Sequence, residues 1–201
     1  MAFNNSISKY DWQYLVTGFL LISVFIFTDL IEVLDKEYFY FVPRLIGDQP
    51  YRIFTSILTH ADLNHLLSNL SGIIITRYFL MRLGIESRFF YLKFIFICSF
   101  INFFIVWVYE KILSYFLNFY PNYAALGFSG IIYALFAFLL LTSFYGKKYF
   151  LGKEIGFKCN YEIQKMSKTI CLIGLIFSFL PRVSLLGHLS GFIAGCFLFL
   201  I

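Results

Sequence analysis

A few polar residues stand inside runs where an apolar chain has little reason to put them. His65 and Asn69 are four apart in "NHLLSNL" (64–70), Ser129 sits between glycines in "ALGFSGIIYAL" (125–135), and His188 heads "GHLSGFIAG" (187–195). A serine hydroxyl becomes a nucleophile when a base lies within hydrogen-bond reach, and His188 is such a base. The oxyanion that follows attack on a carbonyl needs donors, which the Ser129 backbone N–H, the Asn69 amide and the His65 ring supply. These are the parts of serine acyl transfer. No carboxylate lies at a comparable depth to orient His188, so the expectation is a Ser129–His188 dyad, with Tyr133 as a stacking platform.

Taken singly, each residue has an ordinary explanation. Membrane serines usually pack or bond back to their own helix, and membrane histidines join bundle hydrogen bonds or proton relays. Tyr133 alone reads as core. His188, Gly191 and Gly195 form one helical stripe, and a G-x-x-x-G pair is commonly a packing groove. In this chain the groove is expected to bring His188 against the helix that carries Ser129. His60 and His65 lack the glutamate of H-E-x-x-H, which argues against a metalloprotease.

The elements that must position these residues are membrane helices. The 201-residue chain is 60% hydrophobic and 13% charged, with mean hydropathy +0.80, against about 25% charge in soluble domains. Helices are predicted near 12–30, 62–81, 89–110, 127–146, 167–181 and 185–201, in one all-α polytopic membrane domain. Segments 31–61 and 111–126 carry aromatic stretches that suit interfacial or re-entrant pieces. The four cysteines, Cys98, Cys159, Cys171 and Cys196, show no C-x-x-C spacing, so neither a disulfide framework nor a zinc site is indicated.

The net charge of +5 does not point to nucleic acid, because the basic residues collect beside hydrophobic runs. Arg77, Arg82, Arg88 and Lys93 flank the second turn, and lysines from Lys147 to Lys168 fill the loop before the fifth helix. Segment 29–62 holds six acids against three bases. The positive-inside rule then predicts both basic loops and both termini in the cytoplasm, and 29–62 outside. The second, fourth and sixth helices all descend from the outside. His65, Asn69, Ser129 and His188 fall within about 10 Å of those helix starts, at one depth.

With the motifs in this order and spacing, the chain resembles the rhomboid family of intramembrane serine proteases. "YRIFTSILTHADLNHLLSNL" (51–70) is similar to the family's W-R segment, outer histidine and H-x-x-x-N; Tyr51 stands where the family often has Trp. "GFSG" (127–130) matches its G-x-S-G, and "GHLSGFIAG" its last core helix. The resemblance implies a six-helix rhomboid-like bundle with Ser129 as nucleophile and His188 as base. It implies an oxyanion hole of His65, Asn69 and the Ser129 amide, with support from Tyr133, Gly127, Gly191, Gly195 and His60. Arg52 belongs to the structural loop after the first helix.

No cofactor or metal is implied. The expected partners are the lipid bilayer and single-span membrane protein substrates cut near the outer surface. The expected location is the cell membrane, as in a bacterial inner-membrane protein. An ordinary six-helix rhomboid and the related rhombosortase branch both fit. A catalytically inactive rhomboid-like binder of client helices is the alternative, and a small transporter or proton channel is a third class; the intact Ser129, His188 and G-x-S-G argue against both.

Overall fold

The computed structural model describes residues 8–85, 87–118, 124–145, 148–150, 153–155, 161–179 and 183–200. Six long helices follow the apolar runs in the predicted order. They are α1 (Trp12–Phe25, extended by a π-helical turn Ile26–Leu30), α3 (Leu63–Arg82), α4 (Phe90–Leu117), α5 (Ser129–Tyr145), α6 (Tyr161–Phe177) and α7 (Leu185–Leu200), with two 3-10 turns, Lys36–Tyr38 and Pro43–Leu45, and a short helix, α2 (Arg52–Thr55), between α1 and α3. Trp12–Leu30 and α4 are long and apolar enough to cross a membrane, and α5 and α7 are shorter apolar helices. Phe19, Phe104, Leu175 and Phe197 project from the outer faces, as in a bundle whose exterior meets lipid.

Several boundaries differ from the expectation. α4 continues past Glu110 and Lys111 to Leu117 and ends on Asn118 in the left-handed conformation, so much of the predicted 111–126 connection is helix. α6 begins at Tyr161 rather than 167, because its first turns are amphipathic and carry charges on one side. Part of the lysine-rich loop forms an antiparallel hairpin, β1 (Lys148–Phe150) with β2 (Lys153–Ile155). Lys147 and Lys158, on which the expected topology partly rests, lie outside the described residues, as do Cys159 and residues 180–181 at the predicted end of the fifth helix.

The 31–61 connection is a folded platform. Buried Arg52 donates from Nη1 to the carbonyls of Glu37 and Tyr40, each at 2.8 Å, and from Nε to Gln49 Oε1 at 2.5 Å. One guanidinium thereby gathers three parts of the connection, a task that suits its rigid fork of donors. The platform reaches the segment ahead of Ser129 through two backbone contacts. Phe41 and Ala125 exchange N–H···O bonds of 2.9 Å, and the Gly127 N–H donates to the Ser56 carbonyl at 2.8 Å.

On the opposite side of the sequence, Arg77 pairs with Asp11 at 2.5 Å instead of standing as a free basic residue. The guanidinium holds the Asp11 carboxyl below its usual range. Gln13 donates to the Ser87 carbonyl and accepts from the Tyr91 N–H, which ties α1 to the turn between α3 and α4.

α5 is the central helix. Ile131, Ala134, Leu135, Ala137 and Phe138 are all buried along it, and α3, α4, α6 and α7 pack around it. A Cβ added to Gly191 would run into the Gly130 backbone, and one added to Gly195 into the Ala134 backbone. Both contacts advance in the same chain direction, so α5 and α7 run parallel with their backbones touching. Helices in lipid gain no hydrophobic drive from meeting one another, and small residues let packing and close approach replace it.

Candidate active site

The parallel α5–α7 pair sets the site. Ser129 is the first residue of α5, beside Gly130, and His188 lies one turn before Gly191 on α7. The Gly130–Gly191 contact therefore brings the start of α5 against the first turns of α7. Ser129 is half-buried and His188 is buried at 8% exposure. The Ser129 side chain forms no hydrogen bond among the described residues, and none joins it directly to His188. Nucleophile–base bonds in substrate-free sites are commonly long and tighten when substrate binds.

The His188 ring is held on two sides. Its face stacks on Tyr133, with centroids 3.9 Å apart and planes within 17°. Its Nδ1 lies 2.9 Å from Ser178 Oγ. Ser178 follows the last helical residue of α6 and is also within 3.0 Å of Tyr133 Oη and the Gly174 carbonyl. Tyr133 in turn donates to that carbonyl at 2.5 Å. Nδ1 is thus engaged, and Nε2 is the nitrogen left for chemistry.

Ser178 is not among the residues expected from the sequence, where no acid was available to orient His188. A serine in "IFSFL" (176–180) carries no pattern that separates it from an ordinary membrane serine. Its position ten residues ahead of His188, across a helix break, was the available signal.

The candidate donors gather near the Gly127 turn, two residues ahead of Ser129. Gly127 has φ +104°, and a Cβ there would lie 2.6 Å from His65 Cε1 and Nε2 and 3.6 Å from Asn69 Nδ2. Glycine is required twice over, by its backbone conformation and by the closeness of α3. His65 is fixed locally: Asp62 caps α3 by accepting from the His65 N–H at 2.8 Å, and His65 Nδ1 accepts from the Ala61 N–H at 3.4 Å. With Nδ1 accepting, the ring proton sits on Nε2, which with Cε1 is the edge of the ring against the Gly127 turn. Asn69 is 2% exposed and its Nδ2 has no partner. The Ser129 N–H also meets no acceptor among the described residues. Buried donors without acceptors are rare and ask for an explanation.

His60 is fully buried and edge-on to His65 at 5.1 Å. Burial first, and His65 second, pull its pKa down to about 4, so it is neutral near pH 7. Among the described residues, no group of three or more His, Cys, Asp or Glu is placed to hold a metal ion. A polar tie that the sequence did not suggest lies beside Gly130: Ser190 of α7 donates to Asn102 Oδ1 of α4 at 2.5 Å. The Asn102 amide fills the space beside Gly130, 2.5 Å from where a Cβ would stand.

A family model described as "Rhomboid domain" matches residues 47–201, a span that includes the platform, the donors, Ser129 and His188. No curated protein matches the chain.

Proposed function

The chain belongs to the rhomboid family, whose members are generally intramembrane serine proteases, and from that premise we propose that it is a serine endopeptidase acting on membrane-anchored proteins. Ser129 Oγ attacks the scissile carbonyl while His188 Nε2 takes its proton. The oxyanion is received by the Ser129 N–H, the Asn69 amide and His65 Nε2–H. His188 then gives the proton to the leaving amine, and water, activated by the same nitrogen, hydrolyses the acyl-enzyme. Tyr133 and Ser178 orient the base, while Gly127, Gly191 and Gly195 permit the close approaches on which the arrangement depends.

The observation that carries this reading is the convergence of unused donors on one turn. Asn69 Nδ2 and the Ser129 N–H lack acceptors, and His65 crowds Gly127 beside them. An oxyanion between them would satisfy all three. A fold that merely packed its helices would gain nothing from leaving the Asn69 donor empty, since an unmade buried hydrogen bond costs ~1–3 kcal/mol.

In this reading the protein lies in the cell membrane with both termini cytoplasmic and the site opening outward, and it cuts single-span substrates near the outer surface. Water enters from that side, because hydrolysis requires it and the hydrocarbon core excludes it. Substrate helices unwind locally before attack, which favours small or helix-destabilising residues at the cut. The test is cleavage of a single-span reporter in proteoliposomes, with an impermeant thiol reagent reporting the side of a cysteine placed at Asp48. Cleavage that requires Ser129, with Asp48→Cys labelled from outside cells, is the expected result. A folded protein that binds the reporter without cutting it supports the inactive-binder alternative.

A further inference from the structure

We propose that Ser178 is a positioning residue that fixes the tautomer of His188: its hydroxyl accepts the Nδ1–H, so that the Nε2 lone pair faces Ser129. The proposal rests on the dyad reading above, but it is argued from the placement of protons in one buried network.

That network has three protons to place: those of Tyr133 Oη, Ser178 Oγ and the neutral His188 ring. The Gly174 carbonyl only accepts, and Tyr133 donates to it at 2.5 Å. Ser178 has one proton and three neighbours within reach: Gly174 O and Tyr133 Oη at 3.0 Å, and His188 Nδ1 at 2.9 Å. If Ser178 donates to Gly174 or Tyr133, its lone pairs face Nδ1, and His188 must supply the proton there. Every donor is then used, and the bonds run in one direction from His188 through Ser178 to α5 and α6, an order that strengthens each member.

The reverse arrangement has Ser178 donating to Nδ1. The ring proton then sits on Nε2, no lone pair faces Ser129, and Ser178 Oγ no longer accepts from the ring in a region where it is 3% exposed. Which nitrogen of a histidine is protonated follows from the hydrogen bond that the other nitrogen makes. Ser178 thus fills the orienting place that a carboxylate takes in a triad, without adding a charge inside the membrane.

The ionisable surroundings of His188 are sparse, which makes its titration a clean readout. Tyr133 faces it from α5 and His65 from α3. Cys171 of α6 donates to the Phe136 carbonyl. Lys93 and Glu110 on α4 each lie about 12 Å or more along the helix from Asn102, and Lys168 on α6 lies about 15 Å from Ser178.

The experiment compares wild type, Ser178→Ala and Ser178→Thr as full-length protein, measuring kcat and KM for a single-span reporter across pH. Ser178→Ala is expected to lower kcat about a hundredfold with KM unchanged. Its acid limb moves to lower pH, because a lost acceptor disfavours the imidazolium most. Ser178→Thr keeps the hydroxyl and restores both. An unchanged profile, or an acid limb that moves up, overturns the proposal; the latter means that Ser178 donates to Nδ1. Nitrogen NMR of histidine-labelled wild type, assigned against His188→Gln, reads the tautomer even if Ser178→Ala fails to fold, and protonated Nε2 also overturns it. Failure of the dyad reading is seen separately, as serine-probe labelling that survives Ser129→Ala.

Discussion

Gly191 of α7 rests on the backbone of Gly130 in α5, with no room for a Cβ between them. The contact joins the helix that carries His188 to the one that begins with Ser129. An added methyl at Gly191 meets main-chain atoms, which cannot rotate aside as a side chain can. Gly191→Ala is therefore expected to part the two helices, and Gly191→Val to part them further. Overpacking of this kind costs ~1–3 kcal/mol, and a misplacement of ~1 Å can cost about a hundredfold in rate. Reporter cleavage should fall sharply in Gly191→Ala and nearly vanish in Gly191→Val, with topology unchanged. Near-normal cleavage by folded Gly191→Val would show that the contact does not position the dyad.

Asn69 separates function from stability. Its Nδ2 is a buried donor without an acceptor, so removing it relieves the folded protein of an unmade bond while depriving the oxyanion of a partner. Asn69→Leu, similar in volume, is expected to keep or raise the thermal midpoint in detergent. It should lower kcat by ~10²–10³-fold, as loss of one oxyanion donor does. A large fall in stability with little change in kcat would make Asn69 a packing residue.

The outline of the fold was legible because lipid imposes it: charge-free runs long enough to span stand out, and α3, α5 and α7 follow them closely. Reading charge as a helix stop failed where a partner accommodates the charge. α4 carries Glu110 and Lys111 onward to Leu117, where Lys111 lies over the Trp107 ring one turn back. The first turns of α6 were hidden by Glu162, Lys165 and Lys168 on an amphipathic surface. At the candidate site, His65 and His188 could be named because an ionisable side chain is expensive in an apolar run, and Asn69 and Ser129 because the i,i+4 spacing to His65 and the flanking glycines set them apart. Ser178, Asn102 and Ser190 could not, since short hydroxyls and amides are cheap in such runs and acquire meaning only through the rotation of one helix against another.

His60 links stability to pH. Burial lowers its pKa to about 4, against about 6.5 in the unfolded chain. Between these values the unfolded chain binds the proton and the folded protein does not. The stability present above pH ~6.5 is therefore lost progressively as pH falls toward about 4. Denaturation of wild type and His60→Leu across this window should show a pH slope in wild type that is reduced in the variant, with an integrated difference of roughly 2–4 kcal/mol. Equal slopes would mean that His60 is protonated or solvated in the fold.

Arg52 supports the site from a distance. Arg52→Lys keeps the charge but cannot reach the Glu37 and Tyr40 carbonyls and Gln49 together. The loss of these charge-assisted bonds is expected to cost ~1–3 kcal/mol and to increase proteolysis within 31–61. Unchanged protection of that segment would contradict the role of Arg52 in holding it.

Covalent capture at the nucleophile tests the enzyme reading most directly. Purified wild-type protein in detergent is treated with a fluorophosphonate probe, and the modified peptide is identified by mass spectrometry. Modification at Ser129 is expected, lost in Ser129→Ala and in His188→Ala, with the double variant little worse than either single one because the pair acts as a unit. Labelling that persists in Ser129→Ala, or a folded wild-type protein that no serine-directed probe modifies, would contradict the Ser129–His188 dyad.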